Sequence, residues 1–305
     1  MPGEGSCGTR TPRGSGRRPR PSPGSSPEPS RRSRRRPPPE RQMTVQHSPV
    51  SFDSPVVERG AGFFETVLLV GRRAVLWDAH VARLLGTLER FELPAPPPDS
   101  VLALARREAA ALPASPEEER AMRLAWIAAG ADLDDAASWR LDVSIRQIPP
   151  ATLARRSGAR GVTLPPLFQR DTPVAKSTSY FAAVAGLRYA RKNGGDEGLF
   201  TAPDGSYLEG TSTALVAWNE GELAFTPLPV LPSTMRAAVL QGGGVEKRLL
   251  REDLLRGAFL TGSLTKVVPL LSLDGEPCRT PPGMLERVGE FNRRMVDDAS
   301  LSTDL

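Results

Sequence analysis

The chain has almost no lysine. Lys176, Lys192, Lys247 and Lys266 stand against 36 arginines in 305 residues. Cysteine and histidine are as scarce, limited to Cys7, Cys278, His47 and His80. Two cysteines, one within the first ten residues, exclude a disulfide framework and suit a reducing compartment, which points to the cytoplasm. Neither CxxC spacing nor a His/Asp/Glu cluster is present, so no metal site is expected. No apolar run reaches the length of a membrane span, so no membrane partner is expected, and no internal repeat or heptad appears.

Apolar residues are almost missing from positions 1–42, which carry eleven arginines, ten prolines and only three acids, Glu4, Glu28 and Glu40. Such a segment cannot bury enough surface to offset the entropy of ordering, so it is read as a disordered Arg/Pro/Ser-rich tail. Ten prolines exclude the amphipathic helix of a transit peptide. An arginine tract that meets nucleic acid, and a chain that starts at Met43, stay open as readings. The tail holds a charge of +8, so residues 43–305, with 29 basic and 32 acidic residues, carry −3. The basic character belongs to the tail, and the folded part has no electrostatic reason to bind nucleic acid.

From Gly60 the chain alternates like a folded protein. Phe63–Val70 reads as a strand, Gly71-Arg72-Arg73 as a turn and Ala74–Trp77 as a returning strand. Asp78 is placed to cap a helix with Val81, Leu84, Leu85 and Leu88 on one face, stopped by Pro94 to Pro98. A second helix is expected over Ser100–Leu112, with strands over Met122–Ile127 and Leu141–Ile145. Pro149-Pro150 marks a boundary between a small α+β domain, 43–148, and a larger one, 149–305. There a strand over Gly161–Leu164 and a helix over Ser179–Arg191 precede strands 197–201 and 207–209, which flank Pro203-Asp204-Gly205, a strong turn signal. Strands 213–218 and 223–226 flank Asn219-Glu220-Gly221, and Ser233 is the expected N-cap of a helix.

A lysine can do what arginine cannot: lose its proton in an apolar setting and form a Schiff base with a carbonyl. Lys192 sits in the last turn of a helix before Asn193-Gly194, where positive charge is ordinary. Lys247 lies in the charged run Val245-Glu246-Lys247-Arg248, and Lys266 follows a Ser-Leu-Thr loop. Lys176 differs, set among small and apolar residues in Pro173-Val174-Ala175-Lys176-Ser177-Thr178. Glu209 follows at a strand end, then Gly210-Thr211-Ser212-Thr213. Ser233–Arg236 opens a helix whose N-terminus can take an anion, and Gly262-Ser263 adds a second loop. A Schiff-base lysine, a carboxylate for a pyridine nitrogen and a phosphate cup are what pyridoxal phosphate requires of a protein.

On these residues the sequence resembles the fold-type IV pyridoxal phosphate enzymes, the class IV aminotransferase family. The resemblance spans roughly residues 55–275. It rests on Gly62-Phe63-Phe64-Glu65-Thr66, Ala79-His80-Val81-Ala82-Arg83-Leu84, Lys176-Ser177-Thr178-Ser179-Tyr180, Asp196-Glu197-Gly198 through Glu209-Gly210-Thr211-Ser212, Leu231-Pro232-Ser233-Thr234-Met235-Arg236 and Phe259-Leu260-Thr261-Gly262-Ser263. It implies an α/β (α+β) chain with the two-domain D-amino acid aminotransferase-like fold, a site at the domain interface, and a homodimer. It also implies roles. Lys176 would be the catalytic lysine joined to the cofactor, and Glu209 the partner of the pyridinium nitrogen. Arg83, the backbone of Thr234 and Met235, and the Ser263 hydroxyl would bind the phosphate. Tyr180 would pack beside the cofactor, Arg123 would hold a substrate carboxylate, and His80 would be structural.

The family's activities remain open. Met235 before Arg236, and Lys-Ser-x-x-Tyr after the lysine, favour 4-amino-4-deoxychorismate lyase, which releases pyruvate to give 4-aminobenzoate for folate biosynthesis. A branched-chain-type transaminase is the alternative, and a non-catalytic homologue a third. Ala128-Ala129-Gly130 lacks the arginine with which D-amino acid aminotransferases hold the substrate carboxylate. Thr213-Ala214 stands where relatives often have Ser-Asn.

Overall fold

The computed structural model describes residues 50–305 except 114, 220 and 242. The arginine-rich tail, His47 and the first residues of the expected small domain lie outside the described residues. A short helix α1 (Pro55–Arg59) leads into β1 (Gly62–Val70), then β2 (Arg73–Val75), α2 (Trp77–Arg90), α3 (Pro98–Ala110), β3 (Glu119–Ala128) and β4 (Trp139–Gln147). These strands form a wholly antiparallel sheet in the order β2-β1-β3-β4.

Alternation decides what each face of this sheet meets. Val67, Leu69, Met122, Leu124 and Val143 pack on Trp77 and Val81 of α2 and on Val101 and Ala105 of α3. Several of these side chains are fully buried, so cutting Leu69 or Leu124 to alanine should cost about 2–5 kcal/mol each. The opposite face carries Leu68, Val70 and Ala121, which join a second core with Val216, Met235, Phe259 and Val267. That face also presents Phe64, Thr66 and Arg123, with Arg146 at the end of β4, and this is where a cavity lies.

The rest of the chain runs α4 (Pro150–Ala154), β5 (Ala159–Thr163), α5 (Phe181–Lys192), β6 (Glu197–Thr201), β7 (Tyr207–Gly210), β8 (Ala214–Asn219), β9 (Glu222–Phe225), α6 (Thr234–Val239), β10 (Val245–Glu246), α7 (Arg251–Arg256), β11 (Ala258–Gly262), β12 (Lys266–Leu273), β13 (Glu276–Pro277), α8 (Met284–Asp297) and β14 (Ser302–Asp304). The second sheet follows β8-β11-β12-β5-β6-β7, and the pairing of Glu209 with Ala214 brings β7 back onto β8, closing a ring. Most neighbours are antiparallel, but β5 runs parallel to both β12 and β6. Alternate residues again divide: Leu215, Leu260 and Val268 fill one cluster, while Val216, Phe259 and Val267 turn to the other.

Several expectations shift. Asp78 is not the cap of α2. The helix already opens at Trp77, its N-cap is Leu76 in the left-handed region at φ 55°, and no side chain caps it. Asp78 sits in the first turn, where its charge still complements the helix dipole. The prolines after α2 do more than stop it, because Pro98 opens α3, where proline needs no N–H donor. Strand β14 was not expected. It pairs with β2, so the chain's end returns to the first sheet, with Leu76 N–H donating to the Leu301 carbonyl at 2.6 Å.

Candidate active site

Two backbone contacts place the lysine. Phe64 N–H donates to the Lys176 carbonyl at 2.9 Å, and Thr178 N–H donates to the Gly62 carbonyl at 2.8 Å, so residues 176–178 lie beside the start of β1. The side chain reaches into a cavity of about 270 Å³ between the two sheets. Its amine stands 4.8 Å from the centre of the Phe64 ring and 5.4 Å from that of Tyr180. Burial of the amine pulls its pKa down to about 8; Arg83 and Arg170 add to this, while Glu65 and Glu209 oppose it. Part of the amine is therefore unprotonated near neutral pH, as a nucleophile must be. The other lysines are ordinary. Lys247 bonds Asp253 at 2.6 Å, Lys266 bonds Glu119 at 2.7 Å, and Lys192 is exposed at the end of α5.

Glu209 enters the same cavity from the end of β7. The chain turns there so tightly that a side chain on Gly210 would collide with Thr213 and Glu197, so this position requires glycine. Glu209 is 4 % exposed. Burial raises its pKa, and Arg170 pulls the other way by donating Nη1–H to Oε1 at 2.7 Å. Leu231 N–H donates to Oε2 at 3.2 Å. The same guanidinium gives Nη2–H to the Ala175 carbonyl at 3.0 Å, joining the acid to the segment that carries Lys176. Sequence reading gave Arg170 no role. It lies in a loop without periodicity, and its partner Glu209 is 39 residues away.

The third corner gathers Arg83, His80, Thr234 and Ser263. Arg83 bonds Glu65 through two nitrogens, one at 2.8 Å, and donates to the Pro232 carbonyl at 2.8 Å. Burial raises the Glu65 carboxyl, but the bonds from His80 and Arg83 outweigh it and hold its pKa at about 2. His80 Nδ1 lies 2.7 Å from Glu65, and its Nε2 lies 3.3 Å from Ser263 Oγ and 3.4 Å from Thr234 Oγ1. Burial lowers the His80 pKa, against the pull of Glu65. Glu65 and His80 belonged to the motifs already quoted, yet their pairing across 15 residues is visible only in the fold. Ser233 Oγ accepts from Arg236 N–H at 3.1 Å and so caps α6, as expected. The Met235 side chain points into the core, which leaves only its backbone available to a ligand. Arg123 also lines the cavity, its guanidinium 3.9 Å over the Phe64 ring. Tyr180, whose hydroxyl donates to the Thr211 carbonyl at 3.0 Å, forms part of the wall.

These groups fit pyridoxal phosphate. One cavity holds an amine poised near neutrality, a buried carboxylate, and an arginine beside serine and threonine hydroxyls. The hydroxyls of Thr213 and Thr261 in the same wall are buried without a hydrogen-bond partner among the described residues, a cost that a polar ligand relieves.

Residues 62–273 match the family described as Amino-transferase class IV. The chain belongs to this family. It is thus an enzyme that uses pyridoxal phosphate. It is 29% identical over 275 residues to a Mycobacterium tuberculosis protein named bifunctional aminodeoxychorismate lyase / D-amino acid transaminase, covering 80% of this chain and 91% of that one. Its fold superposes on a hypothetical aminotransferase from Mycobacterium tuberculosis in a PLP-bound form, with a TM-score of 0.71 and 24% identity over 84% of this chain and 96% of that one. A branched-chain aminotransferase from Thermoproteus uzoniensis, solved with norvaline, gives a TM-score of 0.71 at 20% identity, covering 85% and 95%. The class IV fold expected from the motifs is therefore the one observed. No helix among the described residues is long and apolar enough to cross a membrane.

Proposed function

We propose that the enzyme is a 4-amino-4-deoxychorismate lyase, which cleaves its substrate to pyruvate and 4-aminobenzoate, a step of folate biosynthesis. The observation that carries this reading is the relative of that name, matched over 91% of its length. In this reading Lys176 is the catalytic lysine, and Glu209 faces the pyridine nitrogen. Arg83, the Ser263 hydroxyl and the free backbone N–H groups of Thr234 and Met235 at the start of α6 hold the phosphate. Arg123 holds a substrate carboxylate. Residues 43–148 act as the smaller domain and 149–305 as the larger, in a cytoplasmic homodimer.

Bound pyridoxal phosphate supplies an electron sink for negative charge developing on the substrate. The chain's own part is proton handling and placement. Lys176 Nζ, crowded and partly neutral, moves the proton between the substrate carbon and the departing three-carbon unit. Aromatisation to 4-aminobenzoate drives the release. Glu209 is kept in place by Arg170 and the Leu231 N–H, each donating to one of its oxygens.

The relative's name also carries a transaminase activity, so transamination is the second reading. A branched-chain type comes first within it, because Ala128-Ala129-Gly130 lacks an arginine suited to D-amino acids. Supplying aminodeoxychorismate and measuring pyruvate, against 2-oxoglutarate with branched-chain or D-amino acids and measuring glutamate, separates the two. Glutamate without pyruvate would sink the lyase reading.

A further inference from the structure

Five arginines line the cavity of Lys176, and they are not equivalent. Arg83, Arg155 and Arg170 are each paired with a buried glutamate, Glu65, Glu197 and Glu209 respectively. Arg123 and Arg146 have no carboxylate partner among the described residues. The antiparallel register sets Arg123 opposite Ser144 and Ala121 opposite Arg146. The two arginines are therefore diagonal neighbours on one face, with backbones roughly 7–8 Å apart. Thr66, opposite Arg123 on β1, shares that face and also lines the cavity.

Two like charges side by side, with no carboxylate between them, cost free energy. Burial lowers the Arg123 pKa, and repulsion from Arg146 lowers it further. An anion spanning the pair removes that cost. The two heads also differ in depth. Arg123 lies over the Phe64 ring, the ring that the Lys176 amine also approaches. Arg146 is exposed, at the end of β4 where the chain reaches Pro149 and Thr152 at the rim. The pair thus sets one cation deep in the cavity and one exposed, an arrangement that can engage two carboxylates at once.

We infer that Arg146 is a specificity-determining residue of this site, which with Arg123 makes it favour substrates bearing two carboxylates over those bearing one. The inference rests on the proposal that substrate reacts at Lys176. Its test is binding, measured by calorimetry with glutarate and with butyrate on the protein with and without pyridoxal phosphate. Wild type should bind glutarate about tenfold more tightly than butyrate, the scale of one charge-assisted contact. Arg146→Gln should shrink that preference below about threefold, Arg146→Lys should recover part of it, and Arg287→Gln, which removes an exposed arginine of α8, should leave it intact. Equal binding of both acids by wild type, or an undiminished preference in Arg146→Gln, would overturn the inference. So would an equal weakening of both acids, because the two arginines would then share one carboxylate. Failure of borohydride to fix the cofactor to Lys176 is a separate result. It would refute the assignment of Lys176, while the glutarate-to-butyrate ratio of the cofactor-free protein would still report on Arg146.

Discussion

A proton decides the chemistry of Lys176. With its pKa pulled from 10.5 to about 8, the amine is mostly protonated below that pH and mostly free above it. The rate at which pyridoxal phosphate becomes fixed by borohydride to cofactor-free protein should rise through pH 8 and level off beyond it. A rate still climbing steeply at pH 10 would show an ordinary lysine. Lys176→Ala and Lys176→Arg should both abolish the trapped adduct, since a guanidinium stays protonated. Glu209→Gln should still bind the cofactor but slow turnover by roughly 10²-fold, the scale of losing one preorganised electrostatic contact. Near-normal turnover would remove Glu209 from the mechanism. Lys176 and Glu209, which share the cavity, could be singled out as candidates from residue type and immediate surroundings. Arg170 and the Glu65–His80 pair could not, because an arginine or a histidine in sequence does not announce which distant carboxylate it will meet.

At the scale of elements, local chemistry sets the boundaries. Ser233 caps α6 through a bond three residues long, so the sequence sufficed to find it. Ser233→Ala should lose about 1 kcal/mol, and at this chain length a melting temperature lower by roughly 2–4 °C follows. Ser233→Gly should lose only a few tenths. An unchanged melting temperature in the alanine variant would mean that packing alone holds α6. Where the local signal had a rival, the reading slipped. Asp78 is a good cap by residue type, but Leu76 N–H is held by the Leu301 carbonyl, and the chain enters α2 two residues earlier than a capping aspartate would have it. The short β5 carries little alternation of its own, and it is its parallel pairing with β12 and β6 that makes it part of the ring.

For the whole molecule the charge is divided: +8 on residues 1–42 and −3 on the remainder. Every motif of the site lies after residue 61. A chain beginning at Met43 should therefore keep its melting temperature and its borohydride-fixed cofactor, while its isoelectric point falls to the acidic side. Loss of cofactor binding on truncation would mean that the arginines of the tail serve the site.

The sequence by itself determined the class of chemistry. A lone lysine among small residues, an acid after a strand, a capped helix and glycine turns act through neighbours a few residues away, and short-range sterics and hydrogen bonds are written locally. Tertiary structure decided what depends on distant partners: the closure of the ring by Glu209 and Ala214, and the return of β14 to β2. It also decided which arginines of the cavity are neutralised and which are left for a ligand. Charge pairing across a fold is settled by which strands lie side by side, and no local pattern records that.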